Sequence, residues 1–179
     1  GINDLALAED AAKNPMMTGF FEKDYLYETM EFVDQLFPDT EKLVAMHDES
    51  AAGMADMKIF QKFAGEHPGY SYDEINTSRL SIDELTDALE AIPDNSVLLY
   101  MTSYTDKNKN TYSLQTMTNL VVNHTSVPIF RNYIGGEGEG IFGGVAMDME
   151  EQGRLAGETV VSILNGKDVN EIPFEIETT

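Results

Sequence analysis

Short apolar runs alternate with longer amphipathic stretches from about residue 25 onward. Tyr25–Phe37 carries Tyr25, Met30, Phe32, Val33, Leu36 and Phe37 in a wide apolar stripe at helical spacing, and Pro38 ends it. Lys42–His47 is a short apolar run of the kind a buried strand requires. The spacing predicts a helix over Ser50–His67, with Met54, Met57, Phe60, Gln61 and Ala64 on one side and a stop at His67-Pro68-Gly69. A more polar strand follows at Tyr70–Asn76. Ser81-Ile82-Asp83-Glu84 has the S-x-x-E form of a capping box and opens a helix through Ile92. Pro93-Asp94-Asn95 then turns into Ser96–Thr102, the clearest strand of the chain.

Beyond it the pattern gives a long polar loop over 103–112, a helix over Ser113–Asn123 and a strand over Val127–Arg131. A glycine-rich stretch, Gly135–Gly140, leads into a strand over Ile141–Met147 that Gly143-Gly144 interrupts. Asp148-Met149-Glu150-Glu151 is a second capping pattern, of D-x-x-E form. Its helix runs through Leu164 and stops at Asn165-Gly166, where glycine supplies a left-handed cap. Ile172–Ile176 reads as an edge strand. Strands and helices alternating through short links define an α/β fold, a mostly parallel sheet with helices on both faces.

Composition narrows the partners. The 179 residues hold 32 acidic against 11 basic side chains, a net charge of −21, with no basic cluster. The densest basic spot, Lys107 and Lys109, sits beside Asp106 in a turn. Nucleic acid and anionic membrane surfaces are therefore poor partners, since both require clustered Lys and Arg. No apolar run approaches the roughly 20 residues of a membrane span. Gly1-Ile2-Asn3-Asp4 lacks the basic region and apolar core of a signal peptide, and so abrupt a start suggests an omitted upstream segment. The absence of cysteine removes disulfides, thiolate metal sites and cysteine nucleophiles.

Open parallel sheets bind ligands beyond the carboxyl ends of their strands. That rule selects His47, Asp48 and Glu49, then Asn76 and Thr77, then Thr102, Ser103, Tyr104 and Asp106, then Arg131, Asn132 and Tyr133. The set is polar and aromatic, suited to gripping a small organic molecule. Catalytic patterns are missing. The three histidines show neither HxxxH nor HxH spacing, and there is no G-x-S-x-G elbow and no Walker sequence. Gly135–Gly140 does not match a dinucleotide fingerprint, and its two glutamates would repel phosphate. Asp48-Glu49 is similar to the acidic pair of a receiver domain, but no lysine follows a later strand in the required place. A non-catalytic domain with no metal and no cofactor is the expectation; a flavodoxin-like enzyme ranks well below it.

Several segments together resemble the type I periplasmic-binding-protein-like fold, and more closely the substrate-binding family of ABC transporters and its relatives in bacterial sensor histidine kinases. They are Gly1–Asp4, Met17-Thr18-Gly19-Phe20, Leu36–Thr40, Ile92–Leu99, Ser126–Phe130, Gly143-Gly144, Glu151–Gly157, Ile163–Gly166 and Ile172-Pro173. Ser96–Tyr104, continuing through Asp106 to Ser113, resembles the sensor-kinase branch.

The resemblance implies two lobes joined by three crossings, with ligand between them. It assigns 1–17 to a remnant of the first lobe, 18–147 to the second lobe, 148–166 to a helix returning to the first lobe, and 167–179 to a C-terminal strand of the second. Most of the first lobe would then be absent, leaving Leu155, Val160, Ile163 and Leu164 for a second copy of the chain to cover. Tyr104, Asp106, Asn132 and Tyr133 become cleft contacts, flanked by His47 and Asp48. Thr18 and Asp148 become hinge or cap residues. The function implied is an extracytoplasmic small-molecule sensor of a membrane-anchored histidine kinase, working by hinge closure. The alternative is a solute-binding protein presenting its ligand to an ABC permease.

Overall fold

The computed structural model describes residues 5–175. The chain divides into two compact units, one of residues up to Asp24 together with those from Met147 onward, the other of Tyr25–Ala146.

The larger unit is a four-stranded parallel sheet in the order β2-β1-β3-β4, formed by β1 (Lys42–His47), β2 (Ser71–Asn76), β3 (Ser96–Tyr100) and β4 (Ile129–Phe130). Alternation along the two central strands sorts side chains to opposite faces. Leu43, Ala45, Val97, Leu99 and Met101 pack with Phe130 against Leu26, Met30 and Val33 of α2 (Leu26–Leu36) and Met57, Phe60 and Phe63 of α3 (Ala51–Glu66). Val44, Met46, Leu98 and Tyr100 face Leu85 and Leu89 of α4 (Ile82–Glu90) and Met117 and Val121 of α5 (Leu114–His124). The register keeps the two sets aligned, with Leu43 beside Val97 and Val44 beside Leu98. Burial on both faces is why β1 and β3 are nearly continuous apolar runs. β2 is an edge, and its outward Ser71, Asp73 and Glu74 keep it polar.

Local chemistry accounts for the element ends. Ser81 accepts from Glu84 N while the Glu84 side chain accepts from Ser81 N, the full reciprocal box expected at the start of α4. Ser50 and Ser113 cap α3 and α5 through Gly53 N and Thr116 N.

The predicted strand 141–147 is reduced to isolated pairing beside β4: Phe142 N donates to Ile129 O (2.8 Å) and Arg131 N to Gly143 O (2.9 Å). Gly144, at φ +155°, lies so close to Arg131 that a Cβ there would collide with the Arg131 carbonyl oxygen, so only glycine fits this position.

The smaller unit holds α1 (Leu5–Ala11) and α6 (Met149–Leu164). The apolar pattern gave no element at α1, whose Leu5 and Leu7 are exposed and whose only buried side chain is Ala8. In place of an edge strand over 172–176, Phe20 and Glu175 form a parallel bridge, with Phe21 N donating to Glu175 O (2.8 Å) and Glu175 N to Gly19 O (2.9 Å). Ile176 and the Gly1–Asp4 segment lie outside the described residues. Thr18 Oγ1 donates to Pro173 O at 3.2 Å.

Asp148 caps α6, accepting from Glu150 N and Glu151 N at 3.0 Å each. On its polar side Arg154 bridges Glu151 and Glu158. The helix ends at Gly166, φ +96°, the left-handed cap that Asn165-Gly166 predicts. No α6 side chain is buried, and Val160, Val161 and Leu164 are exposed.

Leu98 is fully buried between β1 and β4, so Leu98→Ala should destabilise the chain by roughly 2–5 kcal/mol. Urea unfolding should show this as a lower midpoint at unchanged m, whereas Met54→Ala on the exposed side of α3 should stay within about 0.5 kcal/mol.

Candidate functional site

From β1 the chain crosses to β2 on one side through α3, and after β3 it goes to β4 on the other side through α5. Those two helices lie on opposite faces, so the connections leaving β1 and β3 diverge and open a crevice between them. The crevice is at the carboxyl ends, where the loops 47–50, 101–106 and 131–133 meet.

Two buried carboxylates tie these loops together. Asp48 N donates to Thr102 O (2.8 Å), Asp48 Oδ2 accepts from Tyr104 N (2.9 Å) and Oδ1 from Ser50 N (3.0 Å). Asp56, one turn into α3, accepts from Thr102 N through Oδ2 (3.0 Å) and from the Tyr133 hydroxyl through Oδ1 (2.6 Å). One carboxylate therefore joins the ends of β1 and β3, and the other joins β3 to the loop after β4. Gly53 makes the approach possible: a Cβ there would collide with the Asp48 carbonyl oxygen and lie 2.7 Å from Asp48 Oδ1.

A second layer joins β2. The Thr77 hydroxyl donates to Thr105 O (3.0 Å), lies 3.3 Å from His47 O and accepts from Ser103 Oγ (3.1 Å). Glu49 is held by Asn76 Nδ2 (3.2 Å) and Arg79 Nε (2.8 Å), and the Arg79 bond keeps its carboxyl below the usual range. His47 is buried, and its Nδ1–H donates to Asp48 O (3.0 Å). Its Nε2 lies 3.8 Å from Glu74 Oε2, longer than a hydrogen bond. Among the described residues no group of His, Asp and Glu is placed to hold a metal ion.

Asp106 organises its own loop. Its Oδ1 accepts from Asn108 N (2.8 Å) and Asn110 N (2.9 Å), and its Oδ2 from Asn110 Nδ2 (2.8 Å) and the Tyr112 hydroxyl (2.9 Å). Burial raises its carboxyl, and these bonds more than reverse that, leaving it below the ordinary carboxylate range. Lys109, at φ +63°, completes the turn.

On the far side, Arg131 follows β4 directly. Its Nη2 donates to the Tyr104 hydroxyl (2.9 Å), and its guanidinium lies 4.5 Å from the Tyr100 ring centroid and 5.9 Å from that of Tyr133. Burial pushes the Tyr100 phenol up to about 12, while the Arg131 charge acts in the opposite direction. Asn132 is buried beside Arg131, and Arg131 and Tyr133 border a cavity of about 190 Å³ closed by the glycine-rich segment 135–144. A hollow of about 390 Å³ at the opposite, amino ends of the strands is lined by the turns Leu36–Thr40 and Asp94–Ser96 with Pro128, and shares none of these residues.

The structure thus brings Asp48, Tyr104, Arg131 and Tyr133 into one bonded network and sets His47 beside it. Asp106 faces into its own loop. Thr18 and Asp148 belong to the other unit. Asp56 was missed by the strand-end rule because it lies on a helix. Its signal was an acid on the buried face that Gly53, Met57 and Phe60 define.

Fold and strand-end arrangement define a lobe of the periplasmic-binding-protein type. The chain belongs to the ABC transporter substrate binding protein family, whose model matches residues 6–179. No curated protein matches it.

Three solved structures are similar in fold. A substrate-binding protein with adhesive properties from Clostridium difficile, in a ligand-free, open form, is 16% identical at a TM-score of 0.70, over 98% of this chain and 59% of that one. An ABC domain from Streptococcus pneumonia in complex with L-Trp is 16% identical at 0.70, over 100% and 60%. A conserved domain protein from Vibrio cholerae is 15% identical at 0.65, over 90% and 52%. The chain therefore spans between about half and three fifths of the length of each.

Asp48→Asn turns one accepting oxygen into a donor among backbone N–H groups, and should destabilise the chain by about 1–3 kcal/mol in urea unfolding. Gly53→Ala should be comparably harmful. Because the Asp106 carboxyl sits below its unfolded value, its contribution is present above the ordinary carboxylate range and lost as pH falls through the folded value. Asp106→Asn should accordingly flatten the acid limb of stability against pH, read by circular dichroism.

Proposed function

We propose that the chain is the ligand-binding part of an extracytoplasmic solute-binding protein that serves an ABC transporter. The observation that carries this reading is the convergence of Asp48, Asp56, Tyr104, Arg131 and Tyr133 at the switch point of the sheet, where polar hydrogen-bonding groups and aromatic rings face one crevice. Among the described residues no metal-holding group of His, Asp and Glu accompanies them. Family membership favours transport over kinase signalling, since the sensor reading rested on likeness in the loop after β3. That loop is a turn closed internally by Asp106.

In this reading the strand-end face forms one wall of a cleft, and solute shifts the protein from open to closed populations. Asp148, next to the start of the segment from Met147, and Thr18, within the segment that ends at Asp24, serve as hinge or cap residues. Small amphipathic solutes are the favoured class. The L-Trp bound by the Streptococcus relative supports amino acids as the first to try.

A thermal-shift screen of amino acids, peptides, nucleosides and sugars on the full two-lobed protein, which supplies the facing wall, tests the proposal. A true solute at a hundredfold over its Kd should stabilise that protein by about 2.7 kcal/mol, a rise of several degrees in Tm. Tyr104→Ala and Tyr133→Ala should each abolish most of the shift. No stabilisation by any class would sink the reading.

A further inference from the structure

Arg131 is only 5% exposed, yet among the described residues it has two buried side-chain nitrogens, Nε and Nη1, outside any full hydrogen bond. Nη2 gives one hydrogen to Tyr104, while Nε and Nη1 have no hydrogen-bond partner. Among the described residues no carboxylate forms an ion pair with it. Glu137 is near enough to feel its charge, but the Glu137 carboxyl is engaged with Gly135 N (2.7 Å). The Tyr100 and Thr118 hydroxyls beneath β4 lie close to each other and the Tyr100 phenol lies close to Arg131, in geometry too poor for full hydrogen bonds. The aromatic faces of Tyr100 and Tyr133 and the Tyr104 hydroxyl offset part of the charge. They leave the donors open. Retaining a buried guanidinium in this condition is unfavourable unless an anion completes it.

We propose that Arg131 is the carboxylate seat of the solute site: the acidic group of the ligand enters the 190 Å³ cavity bordered by Arg131, Tyr133 and the 135–144 segment, and takes the unused guanidinium N–H groups. With one Nη2 hydrogen committed to Tyr104, one edge of the guanidinium still presents a parallel pair of N–H groups, which matches the two oxygens of a carboxylate. Glu137 at the rim disfavours a dianion, so a monoanionic carboxylate fits better than phosphate. The seat is covered in this conformation, since Nε and Nη1 are inaccessible to solvent. Admission therefore requires the glycine-rich segment to move, and Gly135, Gly136, Gly138 and Gly140 all have positive φ in it. This inference rests on the solute-binding reading above and adds to it the ligand's acidic group and the residue that reads it.

The chain has three arginines, and Arg154 is exposed and already paired with Glu151 and Glu158. The Nε–H signal of Arg131 can therefore be followed by NMR with Arg154 as internal control. Acetate, the smallest carboxylate, should move the Arg131 Nε–H signal saturably, and acetamide, its neutral analogue, should not. L-tryptophan should move both that signal and the Asp48, Tyr104 and Tyr133 amides. Arg131→Lys keeps the charge but loses the planar fork, and should weaken acetate binding about ten- to a hundredfold, the range for one lost hydrogen bond to a charged group. If L-tryptophan or a solute from the thermal screen moves those three amides while Arg131 Nε–H stays still under it and under acetate, the carboxylate seat is overturned and solute binding stands. If acetate moves Arg131 but no solute moves the three amides, Arg131 takes carboxylates without a solute site, and the solute-binding reading falls together with the seat's place in it. Stillness under every probe overturns both.

Discussion

Two carboxylates in a nearly water-free position hold the carboxyl end of this sheet together. Asp48 and Asp56 are each almost fully buried: two backbone N–H groups, of Ser50 and Tyr104, point at Asp48, and the Thr102 N–H and the Tyr133 hydroxyl point at Asp56. Diverging connections at a switch point would otherwise splay apart, leaving the ends of β1, β3 and β4 with unsatisfied polar groups. The carboxylates close that gap from the α3 side, and Gly53 lets the helix come close enough for them to do so. Tyr104 and Tyr133, the aromatic walls of the crevice, are positioned by these bonds. So is the hydroxyl that holds Arg131.

The same layout explains the division between rigid and adaptable parts. Central strands with both faces buried give the loops a stiff base, and short polar bonds carry that stiffness outward as far as Thr102 and Tyr104. The glycine-rich segment beyond Tyr133 is built differently. It pairs with β4 through isolated bridges and has several residues in left-handed conformations, so it makes fewer ladder bonds per residue than the sheet. One fixed side and one deformable side would suit the proposed admission and enclosure of a solute.

Much of this was legible in the chain before any coordinates. The apolar runs at Lys42–His47 and Ser96–Thr102 could be buried strands because they are short, continuous and bounded by turns. Ser81-x-x-Glu84 and Asn165-Gly166 marked helix ends because their chemistry acts within one turn of chain. What escaped depends on distance. Asp56 is an ordinary helix residue until Thr102 and Tyr133 are brought to it across the fold. Asp106 reads as a cleft acid until its own loop folds back and occupies all its lone pairs. Helix α1 has no amphipathic stripe to announce it. The strand expected at 141–147 is reduced to isolated bridges where Gly144 passes close to the Arg131 carbonyl, an approach across the fold that no local pattern encodes.

The central claim is that solute is held on the carboxyl-end face by loops whose geometry Asp48 and Asp56 set. Amide hydrogen exchange with and without a stabilising solute addresses it most directly, because it reports protection residue by residue. The account predicts slower exchange concentrated in 47–49, 102–106 and 131–144, with the amino-end turns at 36–40 and 94–96 unchanged. Protection centred on those amino-end turns, with the carboxyl-end loops unaffected, would contradict it.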